Sequence, residues 1–533
     1  MKRILAMVIA MMMIAGGTLA AFAEGDSGRQ LTDAEVQEDG TNSDDGASNG
    51  GPGGAAQDDG VRNGGPGGTP PDGGASNGGP GGADSDDGAS NGGPGGAASD
   101  DGASNGRPGG TPPDGGASNG GPGGGNSPGG RSASFEYSAA DEITGAEESA
   151  DQVYESGTAD ESALIVNTAE DVSLTNPTVT KTGDSDGGDN CNFYGLNAAV
   201  LVMGGSTTTI TGGTIESSAS GANGVFSYGG NGGSNGAGGD GTTVIISGTT
   251  ITTTGDGSGG IMTTGGGVTY ASDLTVTTSG RSSAAIRTDR GGGTVVVDGG
   301  TYTSNGLGSP AIYSTADITV KNAALVSNLS EGVCIEGMNS ITLENCDLTA
   351  NNTAMNGNAT FLDTIMIYQS MSGDADSGES HFTMTGGSLT SLSGHMFHVT
   401  NTHAVITLSG VELVNEGSDV LLSVCGDGWQ GAANTAELVA DAQALSGTIL
   451  VGDDSTLTLT LRNGSSFEGS FSGEIVNAKG NTVSEGIGTV SVSLDSTSTW
   501  TLTADTWISS FDGDPANVNG NGYTLFVNGV AVN

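Results

Sequence analysis

One six-residue pattern recurs between residues 171 and 415. Each copy begins with an apolar residue, continues with two turn-like positions and two small or polar residues, and ends with a second apolar residue. The clear copies are 174–179 (LTNPTV), 210–215 (ITGGTI), 246–251 (ISGTTI), 297–302 (VDGGTY), 320–325 (VKNAAL), 343–348 (LENCDL), 384–389 (MTGGSL) and 408–413 (LSGVEL), and a weaker copy is 271–276 (ASDLTV). Their last residues are 36, 36, 25, 26, 23, 23, 41 and 24 residues apart. This spacing indicates a unit of about 24 residues with three insertions.

The repeat predicts a solenoid of stacked parallel strands. Short runs rich in Thr, Val and Ile are typical of strands, and the Gly, Asn and Asp pairs between them are typical of turns. Stacked coils let each strand pair its backbone with the coils above and below while its apolar side faces a shared interior. No segment after residue 23 has a sustained helical period, and the 23-residue steps are too short for a propeller blade. We therefore expect an all-β fold, a right-handed parallel β-helix.

Residues 1–23 have the features of a secretory signal peptide. Lys2 and Arg3 precede an apolar run at 4–15, and Ala21-Phe22-Ala23 is a small-x-small cleavage site. The run is short for a membrane anchor, which is the alternative. No later apolar run reaches the roughly 18 residues needed to span a bilayer. We expect a mature chain that is secreted or held at a cell surface, without a membrane span.

Residues 24–131 form a low-complexity region. Six prolines spaced by 14 residues lie in glycine-rich units: Pro52, Pro66, Pro80, Pro94, Pro108 and Pro122. Because the region has almost no apolar residues to offset the entropy of ordering, we expect it to be disordered. It is either a flexible spacer or a tandem repeat without a role. Residues 132–533 are assigned to the β-helix, with an N-terminal cap at 132–165 and a C-terminal plug that includes Trp500 and Trp507.

The charge of the chain limits its partners. Asp and Glu number 61 against 13 Lys and Arg, a formal net charge of −48. Such a chain repels nucleic acids and anionic lipids, so we expect neither as a partner. The four cysteines (Cys191, Cys334, Cys346 and Cys425) have no metal-ligand spacing. We interpret them as buried free thiols, with disulfides as the alternative.

Insertions are where solenoids usually place binding residues. The first insertion (184–195) contains Asp184, Asp186 and Asp189, which could contribute to a calcium site but lack the EF-hand spacing. The second (228–241) is glycine-rich and partly resembles a calcium-binding nonapeptide at 235–243, but that phrase occurs once. The third insertion is 350–380. We expect no cofactor, with calcium as the alternative.

A second strand recurs in each unit and predicts an exposed face. We align Ile261, Ile286, Ile312, Ile335, Ile367 and Phe397 as inward-facing residues. Alternation along a strand then turns the following residues outward as one column: Met262, Arg287, Tyr313, Glu336, Tyr368 and His398. Asp289 lies on the same side, and Arg290 precedes the glycine run 291–293. We therefore take Arg287, Asp289, Arg290, Tyr313, Glu336, Tyr368 and His398 as candidate ligand-binding residues.

Three interpretations of this face stay open. The tyrosines could stack on sugar rings while their polar neighbours bind the hydroxyls. Arg287, Asp289 and Glu336 could carry out acid–base chemistry on a uronic-acid chain, with the arginine on the substrate carboxylate. The two arginines and Asp289 could also be a structural ion-pair cluster beneath a loop. All three depend on the register of the strands, because a shift of one residue would turn the column inward.

Several segments resemble the secreted, adhesin-like, pectin-lyase-like β-helix proteins of bacteria. They include 282–302 (SSAAIRTDRGGGTVVVDGGTY), 309–320 (SPAIYSTADITV) and 396–411 (MFHVTNTHAVITLSGV), and the resemblance covers about residues 135–533. Segments 498–511 and 522–533 resemble the terminal part of autotransporter passengers. The resemblance implies the β-helix fold and an extracellular role in adhesion.

The enzymes of this fold have motifs that the chain lacks. Polygalacturonase-like hydrolases carry paired aspartates in N-T-D and D-D phrases and a G-H-G; the solenoid has neither N-T-D nor G-H-G, and its one D-D phrase, at 453–454, stands without them. Pectate lyases carry an R-x-P-x-x-R-like pair, whereas Arg287 and Arg290 lack both the proline and the spacing. We assign no catalytic residue and expect non-enzymatic binding of an extracellular polysaccharide or a host or cell-surface ligand. The alternatives are a polysaccharide lyase or glycoside hydrolase with a non-standard site, and a structural component of the envelope.

Overall fold

The structure, a computed structural model, describes residues 136–532. The expected signal peptide (1–23) and low-complexity region (24–131) lie outside the described residues. The described part is almost entirely β-structure, and its strands stack in parallel into two long sheets. The all-β class and the stacked parallel strands predicted from the repeat are therefore confirmed.

The first sheet has thirteen parallel strands, one from each successive coil. They are Ser138–Ile143, Glu161–Asn167, Val200–Met203, Val225–Tyr228, Ile261–Thr264, Ile286–Thr288, Ile312–Ser314, Val333–Glu336, Asp363–Tyr368, His395–Thr400, Val420–Val424, Thr448–Val451 and Phe471–Ser472. Its first strand belongs to the segment expected to cap the solenoid, and it pairs with Glu161–Asn167, the next strand of the same sheet.

The second sheet has 22 parallel strands, and most coils contribute two of them. They are Glu147–Ala150, Val153–Ser156, Val172–Thr175, Thr178–Lys181, Thr207–Thr211, Thr214–Ser217, Thr243–Ser247, Thr250–Thr253, Gly267–Ser272, Thr275–Thr278, Gly293–Asp298, Thr301–Ser304, Asp317–Lys321, Ala324–Ser327, Ser340–Ala350, Glu379–Ser391, His403–Ser409, Glu412–Asn415, Asn434–Asp441, Ser455–Arg462, Thr489–Leu494 and Ser510–Asp512.

Three small sheets lie in the C-terminal part. A four-stranded sheet comprises Ala444–Ser446, Ser466–Gly469, Thr499–Leu502 and Val518–Asn519. Ile475–Val476 and Thr482–Ser484 form an antiparallel pair, and Thr506–Ile508, Leu525–Val527 and Val530–Ala531 form a three-stranded sheet. Among residues 136–532 the helices are one α-helix, α1 (Asp189–Tyr194), and one 3-10 helix, Pro515–Asn517. No helix in this range is long and apolar enough to cross a membrane.

The six-residue pattern forms two interior ladders of the second sheet. Its first apolar positions pair from coil to coil as Ile210, Ile246, Ala271, Val297, Val320, Leu343, Met384 and Leu408. Its second apolar positions pair as Ile215, Ile251, Val276, Tyr302, Leu325, Leu348, Leu389 and Leu413. All but Leu413 are buried. Burying one such aliphatic side chain stabilises the fold by about 1.5–3 kcal/mol, so the ladders are a principal source of stability.

The turn inside the pattern needs glycine where the coils approach closely. Gly213 has a φ of +80°, which disfavours residues with a side chain. A Cβ atom added to Gly213 would lie 2.2 Å from the backbone oxygen of Pro177 on the preceding coil. Glycine therefore permits both the bend and the stacking at this point.

The two tryptophans expected in the C-terminal plug have different environments. Trp500 is fully buried, stacks on Phe467 with 5.9 Å between ring centroids, and donates its indole N–H to the oxygen of Gly469 at 3.0 Å. Trp507 is 48% exposed and stacks on Phe526 of the neighbouring strand. Trp500 thus fills the interior, whereas the side chain of Trp507 lies on the outer side of its short strand, and the prediction of a C-terminal plug stays a prediction.

All four cysteines are free and buried. Cys346 lies in the interior next to the ladders, while Cys334 lies on the outer side of the thirteen-stranded sheet. Burial raises the pKa of the Cys191 thiol to about 11. The interpretation of the cysteines as buried thiols is confirmed, and they are poor nucleophiles in the folded chain.

Candidate functional site

The outer face of the thirteen-stranded sheet differs from the predicted column in its register. Arg287 pairs with Met262 on one side and with Tyr313 on the other, as expected. Tyr313 then pairs with Cys334, and Glu336 lies two residues further along that strand. The predicted alignment of Tyr313 with Glu336 is therefore wrong by two residues.

The reason for the error is the period of a strand. Val333 and Ile335 are both apolar and both face inward, so either could follow Ile312 in the interior ladder. The structure selects Val333. Because a slip of two residues keeps each side chain on the same face, the candidate residues stay on the outer side but divide between two columns.

Two adjacent columns thus replace the single predicted one. The first is Met262, Arg287, Tyr313, Cys334, Met366, His398 and Ser423. The second contains Glu336, Tyr368 and Thr400. His398 therefore pairs with Met366 and not with Tyr368, which corrects the predicted position of the histidine.

A cleft of about 150 Å³ lies over this face. Its floor includes Arg287, Asp289, Tyr313, Glu336 and Tyr368. Its walls come from α1 in the first insertion, from both ends of the third insertion, and from the loop that carries Trp429. Two of the three insertions thus border the cleft directly, as expected for a binding site on a solenoid.

The second insertion supports the cleft from outside. The side chain of Asn235 accepts the backbone N–H of Gly291 at 3.0 Å and donates to the oxygen of Gly373 at 3.4 Å. It therefore joins the second insertion to the glycine run after Arg290 and to the third insertion.

Arg287 is held in an ion pair on the cleft floor. Its Nη2 lies 2.6 Å from Oδ2 of Asp289, and its Nη1 donates to the oxygen of Ser282 at 3.1 Å and to Oδ1 of Asn192 at 3.3 Å. The guanidinium lies 5.6 Å from the ring centroid of Tyr313. Burial raises the pKa of Asp289 to about 6, and the positive charge of Arg287 opposes this rise. Both terminal nitrogens of Arg287 are therefore already engaged by the chain.

Arg290 joins the insertions to one another. Its Nε and Nη2 donate to Oδ1 of Asp374 at 3.0 and 2.5 Å, and its guanidinium lies 4.3 Å from the ring centroid of Phe193 in α1. Its aliphatic part also lies against Gly233 of the second insertion, where an added Cβ would be 3.1 Å away. Arg290 contacts all three insertions and is absent from the residues that line the cleft.

Glu336 organises the opposite end of the floor. Its Oε2 accepts the hydroxyl of Tyr313 at 2.6 Å and that of Tyr368 at 3.0 Å. Its Oε1 accepts the hydroxyl of Ser370 and, at 3.3 Å, that of Ser372. Burial first, and the charge of Glu336 second, raise the pKa of both tyrosines. The carboxylate thus fixes the orientation of two aromatic rings.

Trp429 is an aromatic cleft residue that was not among the predicted site residues. It is half-buried, and its ring centroid lies 4.8 Å from that of Tyr368 with a tilt of 50°. Its loop, 425–431 (CGDGWQG), follows the strand Val420–Val424 and has no repeat pattern. The available signal was a single aromatic residue between glycines, in a chain with only three tryptophans.

His398 lies below the surface, away from the lining of the cleft. Its side chain is fully buried, and its Nδ1 lies 2.7 Å from the hydroxyl of Ser423. Its Nε2 is 3.5 Å from Oδ2 of Asp427, and its ring stacks on Phe361 with centroids 4.6 Å apart. Because no face of the imidazole is open, the side chain packs the sheet against its loops.

Two buried carboxyl groups that were not among the predicted site residues lie beside the cleft. Glu331 lines the cleft, and Asp363 lies on the next coil, where the N–H of Gly332 donates to the oxygen of Thr364 at 2.8 Å. Burial raises the pKa of both groups, and the charge of Glu331 further raises that of Asp363. Since they are 32 residues apart in the sequence, no local motif could have identified them.

The three aspartates of the first insertion have different surroundings. Asp184 accepts the backbone N–H of Ser220 at 2.8 Å, while Asp186 and Asp189 are exposed. Within residues 136–532, no group of three or more His, Cys, Asp or Glu side chains is placed to hold a metal ion.

Comparison of the chain with protein-family models, with curated proteins and with solved structures finds no match. The resemblance to pectin-lyase-like proteins therefore stays a prediction.

Proposed function

We propose that the chain is a non-enzymatic extracellular protein that binds carbohydrate in the cleft over its thirteen-stranded sheet. The observation that carries this proposal is the aromatic pair of Tyr368 and Trp429, which line one cleft with ring centroids 4.8 Å apart. Sugar rings present apolar C–H faces that pack on aromatic side chains. An aromatic pair held rigidly beneath a solvent-accessible cleft suits such packing.

The polar groups around the pair suit sugar hydroxyls. Ser370 from the third insertion and Asn192 from α1 line the cleft, and so do Asn356 and Asn358. Amide and hydroxyl side chains each offer both donors and acceptors, which a sugar hydroxyl can use at the same time. The cleft thus combines a stacking surface with convergent polar groups, as carbohydrate sites do.

Binding is favoured over catalysis because the chain already occupies the reactive groups. Both carboxylate oxygens of Glu336 accept hydroxyl groups, and both oxygens of Asp289 accept N–H groups of Arg287 or Arg290. A general acid or base must instead reach the substrate. The lyase or hydrolase alternative would require these networks to break when a substrate enters.

The proposal includes an extracellular location and a right-handed winding of the coils. A right-handed, pectin-lyase-like winding is supported by the repeat and by its two parallel ladders. The features of residues 1–23 support export. The ligand would then be an extracellular polysaccharide or a glycan on a host or cell surface.

A glycan array with the purified mature chain, combined with analysis of soluble products, tests the proposal. We expect retention of a glycan without new reducing ends or unsaturated uronates. Tyr368→Ala should abolish retention, whereas Tyr270→Ala, an exposed tyrosine on the other long sheet, should leave it intact. Release of cleavage products would instead establish an enzyme. If the array retains no glycan, a structural role would be favoured.

A further inference from the structure

We propose that the cleft selects sugars that carry a free, positively charged amine, and that it disfavours uronic acids. The inference rests on the proposed carbohydrate binding and names the class of sugar. Two observations support it: the charged residues that line the cleft, and the ion pairs that some of these residues form within the chain.

Carboxyl groups predominate in the lining. The charged residues that line the cleft are Asp189, Arg287, Asp289, Glu331, Glu336 and Asp374. These are five carboxyl groups and one guanidinium. Including Arg290, which pairs with Asp374, raises the cations to two. When Glu331 and Asp289 are set aside because burial raises the pKa of both, three carboxyl groups remain against two guanidiniums.

Both arginines are already paired with carboxylates of the chain, and the Nε of Arg287, which has no partner, is buried. Arg287 pairs with Asp289 at 2.6 Å, and its Nη1 donates to two further oxygens of the chain. Arg290 pairs with Asp374 and lies over the ring of Phe193. A uronate would therefore enter a cleft rich in carboxyl groups, in which each guanidinium already pairs with a carboxylate of the chain.

The carboxyl group of Glu336 is surrounded by hydroxyl groups of the chain. The four groups that donate to it are hydroxyls of Tyr313, Tyr368, Ser370 and Ser372, all of them neutral. Within residues 136–532, no Lys, Arg or His side chain forms an ion pair with Glu336 or Asp189. Asp189 is exposed at the start of α1, on the wall of the cleft.

The aromatic residues add to this preference. The faces of Tyr and Trp rings attract cations, and Tyr368, which contacts Trp429, also bonds to the carboxyl group of Glu336. An ammonium group on a sugar that packs against these rings would meet both the ring faces and the field of the carboxylate. Such a sugar is a hexosamine without its N-acetyl group.

The test is isothermal titration of the full mature chain with three pentasaccharides. They are the β-1,4-linked pentamers of glucosamine and of N-acetylglucosamine, which differ only in the acetyl group, and pentagalacturonate. At a pH where the amine is protonated, we expect the glucosamine pentamer to bind at least about tenfold more tightly than the other two. Added salt should reduce this preference, because the attraction is electrostatic.

The outcomes separate the inference from the function on which it rests. Equal or tighter binding of the acetylated pentamer or of the uronate would overturn the inference while leaving carbohydrate binding intact. If no pentamer binds and the glycan array is silent, both fail.

Two variants locate the selectivity. Glu336→Gln keeps the size and the acceptor oxygen but removes the charge, and should lose most of the preference for the amine. Glu344→Gln is the matched control, since Glu344 is exposed and pairs with Lys321 on the other long sheet. If Glu336→Gln does not fold, Asp189→Asn on the exposed wall should reduce the preference instead. Full amine preference in a folded Glu336→Gln and in Asp189→Asn would contradict the proposed origin of the selectivity.

Discussion

The phenol oxygen of Tyr313 lies 2.6 Å from Oε2 of Glu336, which is on the next coil of the solenoid. The same oxygen of Glu336 accepts the hydroxyl of Tyr368 from the coil after that. One carboxylate thus ties three successive coils together beneath the cleft. These hydrogen bonds hold the rings of both tyrosines in place relative to the stacked coils.

Replacing Tyr313 by Phe tests the strength of this link. The variant loses a hydrogen bond to a charged acceptor, and we expect the free energy of unfolding to fall by about 1.5–3 kcal/mol. Urea unfolding measures the change. Tyr270→Phe, at an exposed tyrosine of the other long sheet, should change it by less than about 0.5 kcal/mol. Equal stability of the two variants would show that Glu336 does not hold Tyr313.

The contribution of Asp289 to the stability of the fold should fall as the pH rises from about 4 to about 6. The pKa of Asp289 rises from an ordinary 3.8 to about 6 on folding, because burial disfavours its charged form. The folded state then binds more protons than the unfolded state in this window. The contribution of Asp289 is complete below the unfolded pKa and is lost as the pH rises through about 6.

The change attributable to Asp289 is at most about 3 kcal/mol, from a difference of about two pKa units. Asp289→Asn should flatten the decline of the unfolding free energy, measured in urea at several pH values. Part of the decline of the unfolding free energy with pH should persist in this variant, because burial also raises the pKa of Glu331 and Asp363. Asp376→Asn, at an exposed position of the third insertion, is the control and should keep the slope of the parent chain. An unchanged slope in Asp289→Asn would exclude Asp289 as a source of the pH dependence.

Removing the guanidinium of Arg290 should loosen the third insertion. Arg290→Ala deletes the contacts with Asp374 and with the ring of Phe193. We expect faster hydrogen–deuterium exchange of amides in 370–378, with the two long sheets still protected. Arg290→Lys should be an incomplete substitute, since an ammonium lacks the planar fork.

Arg462→Ala provides the control for this effect. Its ion pair with Asp441 is exposed and should contribute little. Exchange in 370–378 that is the same in all three variants would contradict the assigned role of Arg290.

The two C-terminal tryptophans should differ sharply in their contribution to stability. Trp500→Ala leaves a cavity in the interior and should cost about 3–5 kcal/mol. Trp507→Ala removes a half-exposed ring and should cost less than about 1.5 kcal/mol. Chemical unfolding of the two variants gives the comparison, and a larger loss for Trp507 would contradict the placement of the two rings.

The interior of the solenoid could be predicted from the sequence because it repeats. Each copy of the six-residue pattern places an apolar residue at the same two ladder positions, so one alignment fixes many neighbours at once. Ile210 and Ile246, for example, pair directly although 36 residues separate them. The insertion between them bulges outward without disturbing the ladder.

The outer face could be predicted only in part. Alternation identified Arg287, Tyr313, Glu336 and Tyr368 as outward residues, but two neighbouring apolar positions left the register open by two residues. Trp429 could not be placed, because its loop has no repeat. The partners of Arg290 come from separate insertions, and no local pattern encodes contacts between insertions.

The affinity of Trp429→Ala for a glycan retained by the parent chain is the most direct measurement of the central claim. We expect the dissociation constant to rise by at least about tenfold, because the sugar loses one of its two stacking partners. Trp507→Ala, at a tryptophan that is exposed elsewhere, should bind like the parent chain. Parental affinity in a folded Trp429→Ala would show that the glycan binds outside this cleft.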